Sequence, residues 1–128
     1  MPRIRLLGVL LVALCVFAAG YAAGQNKFET PGTVLHVVVV KFKADAAEAD
    51  RQKAIEGVRE MARQIPGIRR VWLKSERVQP REFSAAFAIE FENRAAADAY
   101  AEHPARQQWF EKVYNPLRET SNSIQVTN

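Results

Sequence analysis

The chain has 128 residues, of which 48% are hydrophobic and 25% charged, and carries a formal net charge of +4. That is room for one globular domain with a real core. Setting aside Arg3 and Arg5 leaves 16 basic against 14 acidic residues, or +2, which is too balanced to imply an acidic partner.

The chain opens with Arg3 and Arg5, runs apolar from Leu6 to Ala19, and closes on the small residues Ala22, Ala23 and Gly24. This is the layout of a secretory signal peptide over residues 1–24, cleaved after Ala22 or Gly24, and it predicts an exported, periplasmic or secreted protein. The alternative is a retained N-terminal membrane anchor, because about 18 apolar residues begin to span a bilayer. Cys15 does not read as a lipoprotein cysteine, since Leu14 stands where a small residue is needed. It is also the only cysteine, so the mature chain has no disulfide, cysteine nucleophile or thiolate metal site.

Residues 25–33, QNKFETPGT, have the composition of a linker. VLHVVVVKFK follows as the strongest strand signal, with Val34, His36, Val38, Val40 and Phe42 on one face and Leu35, Val37 and Val39 on the other. Both faces are apolar, so a central strand covered on both sides is expected. Asp45-Ala46-Ala47-Glu48 resembles a capping box with Asp45 as the cap. It opens a helix whose Ile55, Val58, Ala62 and Ile65 form the buried stripe and which ends at Pro66-Gly67.

RRVWLKSERV places Val71 and Leu73 on one strand face and Trp72 on the other, and Gln79-Pro80-Arg81 reads as a hairpin turn. The basic cluster Arg69, Arg70, Lys74, Arg77 and Arg81 is interrupted by Glu76 and Glu82, which suits a solvated sheet edge better than a nucleic-acid surface. EFSAAFAIEFE then alternates Phe83, Ala85, Phe87, Ile89 and Phe91 on one face of a half-buried strand. Asn93 caps an alanine-rich helix through Glu102, which Pro104 breaks at His103 while starting a second helix. Trp109, Phe110, Val113, Tyr114 and Leu117 form the buried stripe of that second helix, and SNSIQV supplies a last short strand.

The order β, α, β, β, α with a corner, β predicts an α+β, ferredoxin-like split βαβ sandwich of four antiparallel strands with both helices on one face. The other face would carry Leu35, Val37, Val39, Trp72, Ala86 and Ala88. A contiguous apolar face of this kind is expected to be covered by a second copy, giving a homodimer through the sheet.

HVVVVKFK, QIPGIRRV, AFAIEFEN and AYAEHPARQQWFEKVYNPL together resemble the stress-responsive α/β-barrel (Dabb) domain family over residues 34–126. The combination of His36 with Lys41-Phe42 and the His103-Pro104-Ala105 corner is the specific part. The resemblance implies a dimeric α+β barrel and a ligand pocket between helices and sheet. A plant polyketide cyclase of this family closes its substrate by aldol chemistry without cofactor or metal, using a tyrosine and a histidine. The tyrosine corresponds to Tyr100, but the histidine's position is Arg106 here, and a further pocket histidine corresponds to Ala85. Guanidinium stays protonated above about pH 12 and cannot replace an imidazole base. It suits instead a carboxylate or an enolate.

Two function classes remain. The first is an exported homodimeric binding module for a small apolar or aromatic ligand, with His36, Tyr100 and Arg106 as polar points and Val38, Val58, Val71, Phe87 and Trp109 as walls. The second is a cofactor-free cyclase or lyase acting on a polyketide-like carbonyl compound, with His36 and Tyr100 as the acid/base pair and Arg106 holding an oxyanion. A structural dimer with no pocket is the third alternative. Each site residue also has a bland reading: His36 as a satisfied core histidine, Tyr100 as a core anchor, His103 as a helix cap and Trp109 as core. No metal or cofactor is expected, since the only two histidines, His36 and His103, lack ligand spacing and no phosphate loop or nucleophile motif occurs.

Overall fold

The computed structural model describes residues 2–24 and 28–128. Residues 25–27, which open the expected linker, and the side chains of Ala22 and Ala23, on which the cleavage readings rest, lie outside this description. The chain divides into two units, residues 1–30 and 31–128. In the first, α1 (Pro2–Gly24) contains a 20-residue stretch, Pro2–Tyr21, of mean hydropathy 2.2 with none of it buried. It is long and apolar enough to cross a membrane, and a signal sequence passes the same test.

The second unit is a four-stranded antiparallel sheet with helices packed on one face. Its strands are β1 (Val34–Phe42), β2 (Ile68–Trp72), β3 (Ala85–Phe91) and β4 (Arg118–Val126), in the spatial order β2-β3-β1-β4. Helix α2 (Glu48–Ala62) links β1 to β2. Helices α3 (Arg94–Glu102) and α4 (Pro104–Trp109) link β3 to β4, with a π-helical turn (Phe110–Tyr114) and a short 3₁₀ turn (Asn115–Leu117) completing the connection. This is the expected split βαβ order with β1 in the centre.

Strand alternation sets the core as expected. On the inner face Val34, Val38, Val40 and Phe42 of β1 and Phe87, Ile89 and Phe91 of β3 are all buried. Helix α2 answers them with Ala54, Val58 and Met61, continued by Ile65 beyond its end. The stripe therefore differs from the expected one at two of four positions: Ile55 and Ala62 are only half-buried. The start of the helix differs too. Asp45 lies in a turn closed by the Ala46 N–H donating to the Lys43 carbonyl at 3.1 Å, and Ala47 takes the cap position without a side-chain bond. Chain reversal at the end of β1 uses up the residues that resemble a capping box, and Glu48 and Asp50 are left to face the helix N-terminus as favourable charges.

Gly67 ends the α2–β2 connection at φ +84°, and a Cβ there would lie 2.5 Å from that of Ala96, so both conformation and space require glycine. The hairpin turn near Pro80 exists, with the Phe83 N–H donating to the Pro80 carbonyl at 3.1 Å, but it sits inside a longer loop over residues 73–84.

The α4 connection carries the largest departure. The Asn115 N–H donates to the Phe110 carbonyl, a bond spanning five residues. On a regular α-helix Trp109 and Tyr114 would lie about 140° apart at about 100° per residue. The wide turn instead brings their rings into a stack at 4.8 Å and 19°. Phe87 meets both rings edge-on, at 5.8 Å and 6.1 Å. The Trp109 indole N–H donates to the Ala54 carbonyl of α2 at 2.9 Å. This approach passes over Gly57, where a Cβ would lie 2.9 Å from both Cδ1 and Nε1 of the indole.

The outer sheet face carries the expected Leu35, Val37, Val39, Ala86 and Ala88, half-buried, and Trp72, 44% exposed. Strand β4 runs longer than SNSIQV and adds Ile124 and Val126, opposite Val37 and Leu35, at 60% and 47% exposure. An ion pair interrupts the face, with Arg70 Nε 3.1 Å from Glu90 Oε2.

Gly57→Ala should destabilise the fold by up to about 2 kcal/mol, because overpacking against a pinned indole costs about 1–3 kcal/mol and the gain in helix propensity returns about 1. Urea unfolding of the variant beside the wild type checks this: the midpoint should fall with the slope unchanged.

Candidate functional site

The inner layer is apolar through its middle and polar at one end. His36 lies near the start of β1, paired with Ile89 on one side and Gln125 on the other. Tyr100 reaches toward it from α3 with its ring centre 6.1 Å from the imidazole and 5.1 Å from Phe91. Arg106 approaches from α4, its guanidinium carbon 5.9 Å from the Tyr100 ring centre and 4.6 Å from that of Phe110. Side chains from β1, α3 and α4 therefore come together around the Tyr100 ring.

Two caps hold this geometry. Asn93 Oδ1 accepts from the Ala96 N–H at 2.9 Å, fixing the start of α3 and hence the height of Tyr100. His103 breaks the helix as Pro104 demands, and its Nδ1 accepts from the Ala105 N–H at 3.1 Å, capping α4. His103 is thus a structural residue that sets the angle at which α4 presents Arg106.

The electrostatics of the three groups are coupled. Burial lowers the pKa of His36 below 6.5, and the Arg106 charge lowers it further. Burial raises that of Tyr100 above 10, with Arg106 opposing. Near pH 7 the cluster is therefore a neutral imidazole, an intact phenol and a guanidinium cation. His36 Nδ1 and Arg106 Nε are buried, and neither has a hydrogen-bond partner among the described residues. A buried polar group left so costs about 1–3 kcal/mol.

The remaining expected wall residues lie in the packed interior. Val38, Val58, Phe87 and Trp109 are each at most 7% exposed and belong to one core cluster with Tyr100, while Val71 is half-buried beside it. Trp109 also floors a groove of about 240 Å³ between α2 and α4. Sequence reasoning missed the polar inner edge of β4: Ser121, Ser123 and Gln125 pair with Val40, Val38 and His36 and so share their face. The alternation of these residues in RETSNSIQV is the signal that could have found it. It missed Tyr114 as a polar residue as well. Burial raises the pKa of Tyr114, with Ser121 and Arg118 opposing, and the Arg118 guanidinium lies 5.5 Å from the Phe110 ring centre.

A separate cleft of about 440 Å³ opens at the far end of β1, between Phe42, the start of α2 and the loop after β2. No group of three or more histidine, cysteine or carboxylate side chains placed to hold a metal occurs among the described residues.

The lowered pKa of His36 has a stability consequence. The unfolded chain takes up its proton near pH 6.5 while the folded chain resists, so this contribution is complete above pH 6.5 and lost as pH falls through the folded value. Unfolding followed from about pH 7.5 to about pH 5 should show stability declining below pH 6.5, and His36→Gln should flatten that decline.

The family profile described as Stress responsive A/B Barrel Domain (Dabb) matches residues 34–127. No curated protein matches the chain in sequence. Among solved structures, a Dabb-family protein with a ferredoxin-like fold from Mesorhizobium loti is 19% identical, with 76% of this chain and 97% of that one covered at a TM-score of 0.65. A dimeric ferredoxin-like protein of unknown function from Bacteroides fragilis is also 19% identical, covering 78% and 100% at 0.62. SnoaB, a cofactor-independent oxygenase from Streptomyces nogalater, is 18% identical, covering 76% and 93% at 0.60. These likenesses establish the fold, and the profile match over residues 34–127 establishes that the chain belongs to the stress-responsive A/B barrel (Dabb) domain family.

Proposed function

We propose that the protein is an exported homodimeric binding module that holds a small carbonyl-bearing or anionic ligand with an apolar or aromatic body at the His36, Tyr100 and Arg106 cluster. The observation that carries this reading is a pair of unpartnered buried atoms, His36 Nδ1 and Arg106 Nε, on side chains that both border the Tyr100 ring. A cation, a neutral imidazole and a phenol O–H together offer donors to a carbonyl or carboxylate oxygen. Val38, Val58, Val71, Phe87 and Trp109 supply the apolar surroundings.

Export rests on residues 1–24 acting as a signal peptide cleaved after Ala22 or Gly24, with retention as an anchor the alternative, followed by a linker over 25–33 and the domain over 34–126. Dimerisation through the outer sheet face is supported by its exposed Trp72, Ile124 and Val126 and by the dimeric state of related structures. A second reading, a cofactor-free cyclase or lyase, is favoured by one feature: a His36 kept neutral is in the form a base needs, with Tyr100 as acid.

Native mass spectrometry of the protein as recovered from its own compartment should reveal a co-purifying small molecule, and Arg106→Met should reduce its occupancy at least tenfold. Wild-type protein free of any adduct, or occupancy indifferent to Arg106→Met, would count against the binding reading. For the catalytic reading, turnover of the identified molecule should vanish in Tyr100→Phe; activity that survives both that change and His36→Ala would rule it out.

A further inference from the structure

The cleft at the far end of β1 belongs to a different place from the cluster just described. Phe42 and His36 sit toward opposite ends of one strand, about 20 Å apart at about 3.3 Å per residue. Between them the interior is closed by Val38, Val40, Val58 and Ile89, each at most 7% exposed. The floor of the cleft is apolar, made by Phe42, Ile55, Leu73 and Ala85, and its rim is polar. At about 440 Å³ it falls within the size range of small-molecule sites, about 300–1,000 Å³.

The rim carries two cations, Arg51 and Lys74. Arg51 donates through Nη2 to the Lys43 and Ala44 carbonyls at 3.0 and 3.4 Å, which holds its guanidinium carbon 5.9 Å from the Phe42 ring centre. Its Nε is buried and has no hydrogen-bond partner among the described residues. Lys74 stands on the opposite side with no carboxylate within ion-pair distance among the described residues. Of the two rim acids, Glu56 pairs with Arg59 at 2.6 Å, and Glu48, in the first turn of α2, accepts from the Gln52 amide at 3.2 Å. Ser75 and Ser84 add two hydroxyls.

We propose that this cleft is a second ligand site, taking a monocarboxylate with a small apolar body: the body lies on Phe42, Ile55 and Leu73, and the carboxylate faces Arg51 and Lys74. The arginine is held in place by the backbone of the β1–α2 turn, so its donor is pre-organised, while Lys74 contributes a point charge from a loop. The cleft shares Ala85 with the pocket that the family resemblance implies, but it is lined by none of His36, Tyr100 and Arg106, so the proposal stands or falls without that cluster.

The test uses 2-naphthoate as the probe, with the full chain and ligand-observed NMR. Saturable binding is expected, and 2-naphthalenemethanol, the neutral isostere, should bind at least tenfold more weakly. Arg51→Met should weaken naphthoate at least tenfold. Because Arg51 also ties down a turn, Lys74→Met on the exposed loop provides a second variant that leaves the fold intact and should weaken binding severalfold. In protein-observed spectra the naphthoate-induced shifts of Ile55 and Leu73 should saturate at the same concentration in Arg106→Met as in the wild type, whatever binds at the other cluster. Absence of saturable binding, equal affinity for the alcohol, or full affinity in Lys74→Met would overturn the proposal. So would loss of the Ile55 and Leu73 shifts in Arg106→Met, which would move the carboxylate to the other cluster.

Discussion

The hydrogen bond from the Trp109 indole to the Ala54 carbonyl is the joint on which the helical layer depends. It needs three things at once: no side chain at Gly57, a widened turn after Trp109, and Phe87 presenting its edge from the sheet. Each comes from a different element, so α2, α4 and β3 are fixed together. With that joint in place, the turn N-terminal to Trp109 is also fixed, and that turn carries Arg106. The position of the polar cluster is therefore a consequence of how the aromatic core packs.

The cluster shows how one exchange reshapes a site without changing its frame. The resemblance implies an imidazole base where this chain carries Arg106. A guanidinium is not a base at neutral pH, and its charge adds to burial in lowering the pKa of His36. The frame that aims it, from Asn93 through Tyr100 to the His103 cap, is a set of backbone devices indifferent to what residue 106 is. Function in such a fold can change at the contact residues while the caps and the corner stay in place.

Legibility in the sequence follows the range of the interactions. The alternation of Phe83 to Phe91, the Asn93 cap and the break at Pro104 are local and legible, and with them the split βαβ order of the sheet. The shift of the α2 stripe and the loss of Asp45 as a cap come from the turn that closes β1, which competes for the same residues. The π-helical turn is hidden because Trp109 and Tyr114 satisfy an α-helical pattern loosely and a wide turn only in the presence of Phe87 and Gly57. The meeting of His36, Tyr100 and Arg106 is legible only through family resemblance. The cleft at Arg51 is not legible at all, since its floor and rim come from separate segments of the chain.

The central claim is that Arg106 and His36 share one buried electrostatic environment created by the packing of α4. Following the His36 ring by NMR through a pH titration, in the wild type and in Arg106→Met, tests it most directly. The account requires a wild-type pKa below 6.5 that rises toward 6.5 when the guanidinium is removed. A His36 that titrates at its ordinary value, or that does not respond to Arg106→Met, would contradict it.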